Sequence, residues 1–281
     1  MKTASWFPVS GVSVNTSQTG NQLAVFTDAR ELPESSLQPL ARELNYSETV
    51  FVYPPEDDGH VRLRIFTPGR EVPFAGHPML GTAFVLGGPM QLGEIRLETD
   101  GGTVPVRLER DGARIVFGRM EQPLPMVEEF EHTDELFAAL GVEGSELPVR
   151  LYDNGIRHVY VALRSPEEVA AVAPDPRLLT AIGPFGFNCF AGSDGRWRTR
   201  MFAPEHGVGE DAATGSAAGP LALHLVTAGR IGWGEEIEIS QGAEIGRPST
   251  LYARAVGGPD AVERIEVGGS AVVVARGEFR L

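Results

Sequence analysis

Residues 64–88 read RIFTPGREVPFAGHPMLGTAFVLGG, and residues 200–229 read RMFAPEHGVGEDAATGSAAGPLALHLVTAG. Both open with R-x-F-x-P and pass through a polar loop containing glycine. Both then reach a Gly followed by a polar residue, Gly76-His77 and Gly215-Ser216, and run on into small and apolar residues. The segments downstream of the two copies match as well. EIRLET, VPVRLER and RIVFGRM come after the first copy, and EIEIS, STLYARAV, AVERIEV and AVVVARGEF after the second. These alternating runs, broken by Asp-Gly and Gly-Gly, predict antiparallel meanders, because such dipeptides supply the positive φ of tight hairpins. A period of about 136 residues is too long for a solenoid. It predicts two similar domains, residues 1–125 and 126–281, linked through the Pro-rich, acidic stretch at 121–135. The final strand is free to stay with its own half or to cross to the first.

The runs after His77 and Ser216 have almost no polar face. A helix apolar all round is buried on every side, and a strand-rich domain provides this by wrapping its sheet around one central helix. The predicted fold class is therefore α+β, two similar domains each with a β-sheet wrapped around a central buried helix. Elsewhere Leu37, Leu40, Ala41 and Leu44 recur at helical spacing, so residues 34–45 read as an ordinary amphipathic helix.

Composition narrows the partners. A net charge of −14 argues against nucleic acid or an anionic membrane surface. No apolar run has the length of an export signal or a membrane span, which suggests a cytoplasmic protein. Cys189 is the only cysteine and sits in FNCF, so it reads as core. The histidines show no metal-ligand spacing, and neither a phosphate loop, a dinucleotide fingerprint nor a G-x-S-x-G elbow is present. No metal and no organic cofactor is expected.

The first N–H groups of a helix lack partners within it and carry partial positive charge. Helix starts at Gly76-His77-Pro78 and Gly215-Ser216 are thus candidate anion sites, with Pro78 suited to the first helical position. Simple capping, with Ser216 as N-cap, accounts for either loop taken alone. The repetition favours two starts that face one cleft and hold a small acid. Acid/base candidates nearby are His77, Glu210, Asp211 and Glu48, the last where the predicted helix gives way to the strand TVFVY. Pattern alone does not choose among them.

NYSETVFV, PFAGHPMLGTA, RMFAPEHGVGEDAATGSAAGPLALHL, NCFAG, QGAEIGRPS and IRHVYVAL resemble the PhzF family of phenazine-biosynthesis isomerases, over nearly the whole chain from Gly20. That family shares the diaminopimelate epimerase-like fold. The resemblance implies isomerisation of trans-2,3-dihydro-3-hydroxyanthranilic acid, with Glu48 taking a proton from ring C3 and returning it to C1. The resulting enol would tautomerise to a reactive aminoketone. It further implies that His77, Asp211 and Ser216 assist, that Gly76, His77, Gly215, Ser216 and Asn21 bind substrate, and that the enzyme is a homodimer without cofactor. The sequence departs from the family in two places. Gln22 stands where the family has Pro after Gly-Asn, and residues 5–19 differ from the usual start, both of which bear on substrate choice. A diaminopimelate-type epimerase would need a cysteine at each helix start, where His77 and Ser216 stand. The remaining alternatives are a PhzF-like isomerase of another small cyclic or amino-acid-like acid, and a non-catalytic protein that binds a small acid.

Overall fold

A computed structural model describes residues 3–11 and 19–280; residues 12–18 of the divergent N-terminal segment lie outside the described residues. The first half runs β1 (Thr3–Gly11), β2 (Asn21–Phe26), α1 (Glu34–Leu44), β3 (Glu48–Tyr53), β4 (Val61–Phe66), β5 (Glu71–Val72), α2 (Gly76–Met90), β6 (Glu94–Thr99), β7 (Gly102–Asp111) and β8 (Arg114–Gln122). The second runs β9 (Met126–Glu129), α3 (Thr133–Leu140), β10 (Arg150–Asp153), β11 (Arg157–Ala162), α4 (Pro166–Ala171), α5 (Pro176–Ile182), β12 (Gly186–Ser193), β13 (Arg196–Ala203) and β14 (Val208–Asp211). It continues through α6 (Gly215–Thr227), β15 (Ile237–Gln241), β16 (Ser249–Gly258), β17 (Ala261–Gly269), β18 (Ala271–Val273) and β19 (Gly277–Arg280).

The pairings repeat strand for strand. In the first half β2 pairs with β3 and β4 with β6 in parallel, while β3–β4, β4–β5, β6–β7 and β7–β8 are antiparallel. In the second half β11–β12 and β13–β15 are parallel, and β12–β13, β13–β14, β15–β16 and β16–β17 antiparallel. The expected α+β, epimerase-like class is the one observed. The halves are joined where β8 pairs with β17. Each meander then leads to the other half's edge: β9 pairs with β10, while β18 and β19 pair with β1.

Helix α2 packs against β1, β2, β3, β6, β7, β8 and β18 and is thereby wrapped by its sheet. In α6 every residue from Gly215 to Val226 is buried, as its lack of a polar face requires. Pro220 lies inside α6 and cannot donate to the Ser216 carbonyl four residues back. The Asn154 side chain donates there instead, at 2.9 Å. Both helices feed one apolar core that crosses between the halves, while α1 covers a smaller cluster at Phe26, Phe51 and Phe66. Cys189 is fully buried in a third cluster beneath α3, α4 and α5, and burial pushes its thiol up to about 12. No helix among the described residues is long and apolar enough to cross a membrane.

Arg64 and Arg200, the first residues of the two repeats, have equivalent tasks. Arg64 is paired with Glu71 and Arg200 with Glu210, each through two hydrogen bonds of 2.7–2.9 Å. The Glu210 carboxylate is thus committed to a buried guanidinium, which removes it from the acid/base candidates.

Candidate functional site

The two buried helices meet end to end. A Cβ placed on Gly76 would lie 2.3 Å from the Gly215 carbonyl carbon and from the Ser216 nitrogen. Only glycine allows two helix starts to touch through their backbones. The N-caps are Ala75 and Thr214, and neither side chain caps its helix. The Thr214 hydroxyl donates to Asp211 Oδ2 instead, at 2.7 Å. Ser216, expected as a cap, is the second residue of α6, and Pro78 is the third of α2 rather than the first. Pro78 still falls within the turn whose N–H groups have no helical acceptor. Two uncapped, positively polarised helix starts therefore border one cleft of about 520 Å³ counted out to its mouth.

Glu48, Gly76, His77, Asp211, Gly215 and Ser216 all line this cleft. Asn45, in the left-handed conformation, ends α1 and turns the chain so that Glu48 opens β3. Glu48 Oε2 lies 3.1 Å from His77 Nε2, and neither atom has a hydrogen-bond partner. Burial, reinforced by the Asp211 carboxylate, holds the Glu48 carboxyl well above the usual range. Burial lowers His77 to about 4, against the opposing pull of Asp211 and a hydrogen bond to the Gln22 backbone. Asn21 Nδ2 lies 3.2 Å from His77 Nδ1. Glu48 and His77 thus form a buried acid–imidazole pair in which burial disfavours the charged form of each. The Asp211 carboxylate favours a proton on either partner.

Asn21, expected to bind substrate, does not line the cleft. Its Nδ2 donates to Asp211 Oδ1 at 2.7 Å and to the Ala213 carbonyl at 3.1 Å, and its Oδ1 accepts from Ser47 at 2.7 Å. With those bonds made it stands behind the wall and fixes Asp211 from the other half of the molecule.

The sequence reading missed His158, His206 and Thr214, which also line the cleft. His158 Nε2 is 3.0 Å from Ser216 Oγ, and burial, with His206 adding to it, lowers the ring to about 3. Strand register shows where His158 comes from. Leu23 pairs with Glu48 in the first half and His158 with Gly186 in the second, so His158 occupies the place of Leu23, and Gly186 that of Glu48. Val72 likewise stands where Asp211 does. The available signal was a histidine inside the apolar strand HVYVAL. Among the described residues, no group of three or more His, Cys, Asp or Glu is arranged to hold a metal ion.

Fold and site together define an epimerase-like α+β protein with an asymmetric acid–imidazole cluster at its abutting helix starts. The family described as phenazine biosynthesis-like protein, PhzC-PhzF, matches residues 12–277, and the chain belongs to that family. A trans-2,3-dihydro-3-hydroxyanthranilate isomerase from Pseudomonas aeruginosa is 50% identical over 93% of this chain and 94% of its own length. The crystal structure of a PhzF-family phenazine biosynthesis protein from Bacillus anthracis superposes with a TM-score of 0.86 over 100% of both chains, at 25% identity. A hydroxyproline epimerase from Agrobacterium vitis shares the fold, with a TM-score of 0.68 at 13% identity over 99% of this chain and 91% of its own.

Proposed function

We propose that this chain is a trans-2,3-dihydro-3-hydroxyanthranilate isomerase that works by acid/base chemistry at Glu48. The observation that carries the reading is the isolated Glu48–His77 contact of 3.1 Å at the junction of two uncapped helix starts. Glu48 must be ionised to accept a proton from carbon. Its own proton passes to the neutral His77 imidazole, and the imidazolium so formed is favoured by Asp211. Glu48 then takes the proton from ring C3, and the C–H electron pair enters the conjugated system. The same carboxyl returns the proton to C1, and the product leaves as an enol that becomes the aminoketone. The backbone N–H groups near His77 and Ser216 hold the substrate carboxylate. Nothing in this sequence of steps calls for a metal or an organic cofactor.

The same proposal treats residues 1–125 and 126–281 as two units of one fold, in a cytoplasmic homodimer. The exposed apolar side chains Leu124, Met126 and Val127 on and before β9, at 49–64% exposure, support a self-association surface. Sedimentation tests this part, with a dimer expected and a monomer against it.

Activity is tested by incubating the protein, with EDTA present, with trans-2,3-dihydro-3-hydroxyanthranilic acid in D₂O beside Glu48→Gln. NMR and mass spectrometry follow substrate loss and phenazine-precursor formation. Turnover that falls in the variant by a factor on the order of 10²–10⁴ supports the role given to Glu48. Turnover that survives moves the proton to another group. No turnover by the folded wild type overturns the substrate assignment.

A further inference from the structure

We propose that Asn188 and His158 are positioning residues that commit the Ser216 hydroxyl to donate a hydrogen bond to the acid group of the substrate. This rests on the isomerase reading only in taking that group to be a carboxylate lodged at the start of α6.

The direction of each bond is set by the one before it. Asn188, on β12, is buried, and its Nδ2 lies 3.0 Å from the Gly186 carbonyl and 3.2 Å from the Val159 carbonyl. Carbonyls only accept, so the amide is held with its nitrogen, not its oxygen, toward them. The same nitrogen lies 3.4 Å from His158 Nδ1. A hydrogen on Nδ1 would face an N–H group, so Nδ1 is bare and the ring hydrogen sits on Nε2. The ring cannot turn away easily, because it is seated against the Gly186 backbone, where even a Cβ would come within 2.5 Å of Nδ1. Nε2–H therefore donates to Ser216 Oγ across 3.0 Å. The hydroxyl, having accepted, has its own hydrogen to place, and Ser216 borders the cleft. Burial keeps the ring neutral, so its contribution is orientation rather than charge.

The two halves thus equip their helix starts differently. One presents a carboxyl that moves a proton, and the other a hydroxyl whose polarity is fixed from behind. A fixed donor favours a ligand with an acceptor at that point and disfavours one with an N–H there.

The test compares wild type with His158→Leu, His158→Gln and Asn188→Ala. Gln keeps an N–H donor near the Nε2 position, whereas Leu fills space without one. In turnover, His158→Leu should raise KM by roughly 10- to 100-fold, the worth of one hydrogen bond to a charged group, with kcat changed much less. His158→Gln should restore most of the KM, and Asn188→Ala should show an intermediate rise. Calorimetry with 3-hydroxyanthranilic acid and its primary carboxamide provides a readout independent of turnover. Wild type and His158→Gln should prefer the acid, and His158→Leu should lose most of that preference. An unchanged acid-over-amide ratio in folded His158→Leu overturns the proposal, as does a Gln variant no better than Leu. If no protein turns over the dihydro acid but the preference behaves as stated, the substrate assignment fails and the positioning role stands.

Discussion

The direct contact between helix starts makes Gly76→Ala the sharpest perturbation available. Gly76 is not in the left-handed region of backbone space, so alanine is conformationally acceptable there. The whole cost arises from the opposing helix, whose Gly215 carbon and Ser216 nitrogen would lie 2.3 Å from the new methyl, with Gly215 Cα at 2.6 Å. Ordinary contact is about 3.5–4 Å, so α2 and α6 must separate by roughly 1 Å or more. Overpacking of this kind costs about 1–3 kcal/mol, and the upper end applies because no flexible side chain can move aside. At about 2–4 °C per kcal/mol for a chain of this size, the melting temperature should fall by roughly 5–10 °C. The same displacement moves His77 relative to Glu48 and spreads the anion site, so kcat/KM should drop about 10²-fold. Gly88→Ala is the control. It lies in the same helix with nothing near its Cβ position, and it should leave activity unchanged and stability level or raised by under about 1 kcal/mol. Thermal melts by circular dichroism and steady-state kinetics read both. A Gly76→Ala protein that melts and turns over like wild type would refute the backbone contact and the cleft built on it.

Three other predictions concern buried polar groups. His77, His158 and His224 are held at about 4, 3 and 4 by burial. Each is neutral in both states above the ordinary histidine value, so its full stability is present there. As pH falls below about 6.5, only the unfolded chain takes up these protons, and stability is lost until the folded values are reached. By about pH 5 the combined loss should be several kcal/mol, partly offset by Glu48, whose raised carboxyl protonates first in the folded state, a gain that builds as pH falls toward about 4.5 and is complete below it; a flat urea-unfolding free energy between about pH 6.5 and 5 would contradict the burial. Glu210→Gln leaves the Arg200 guanidinium without its buried partner and should cost about 3–5 kcal/mol in denaturant titrations; a loss under about 1 kcal/mol would mean that water reaches the pair. Asn21→Ala removes donors from Asp211 and the Ala213 carbonyl, so both melting temperature and kcat should fall while substrate affinity holds. A rise in KM alone would return Asn21 to the substrate-contacting role.

The repeat carried the architecture because its information is local. An all-round apolar run after Gly-His or Gly-Ser states that the helix is buried wherever the rest of the chain goes. The Arg64–Glu71 and Arg200–Glu210 pairs were equally local, and reading them together would have withdrawn Glu210 at once. His158 was not legible in that way. Its position beside Ser216 depends on the parallel register of β11 with β12, which no spacing along the chain reveals. The surroundings of Asn21 were hidden for a related reason. It sits at the start of β2, next to the site, but which face it presents is settled by Asp211 and Ala213, some 190 residues distant in sequence. Pattern could not separate Glu48 from other acids because its distinction is the partner it lacks. The carboxyls of Glu98 and Glu266 are also buried, but they are bound by backbone N–H groups or arginines, which hold them below the usual range.

The broken symmetry of the cleft has a stereochemical consequence. Two related halves border the cleft, yet Gly186 stands where a counterpart of Glu48 would be, and Val72 where a counterpart of Asp211 would be. A pair of matched acid/base groups on opposite sides would add a proton to the face opposite the one it left, inverting a centre. With Glu48 as the proton carrier and Gly186 in the equivalent place, departure and return would occur on the same side of the ring. On the role proposed for Glu48, hydrogen would move from one carbon to another suprafacially, in a cleft whose two-fold layout would otherwise suit a racemase.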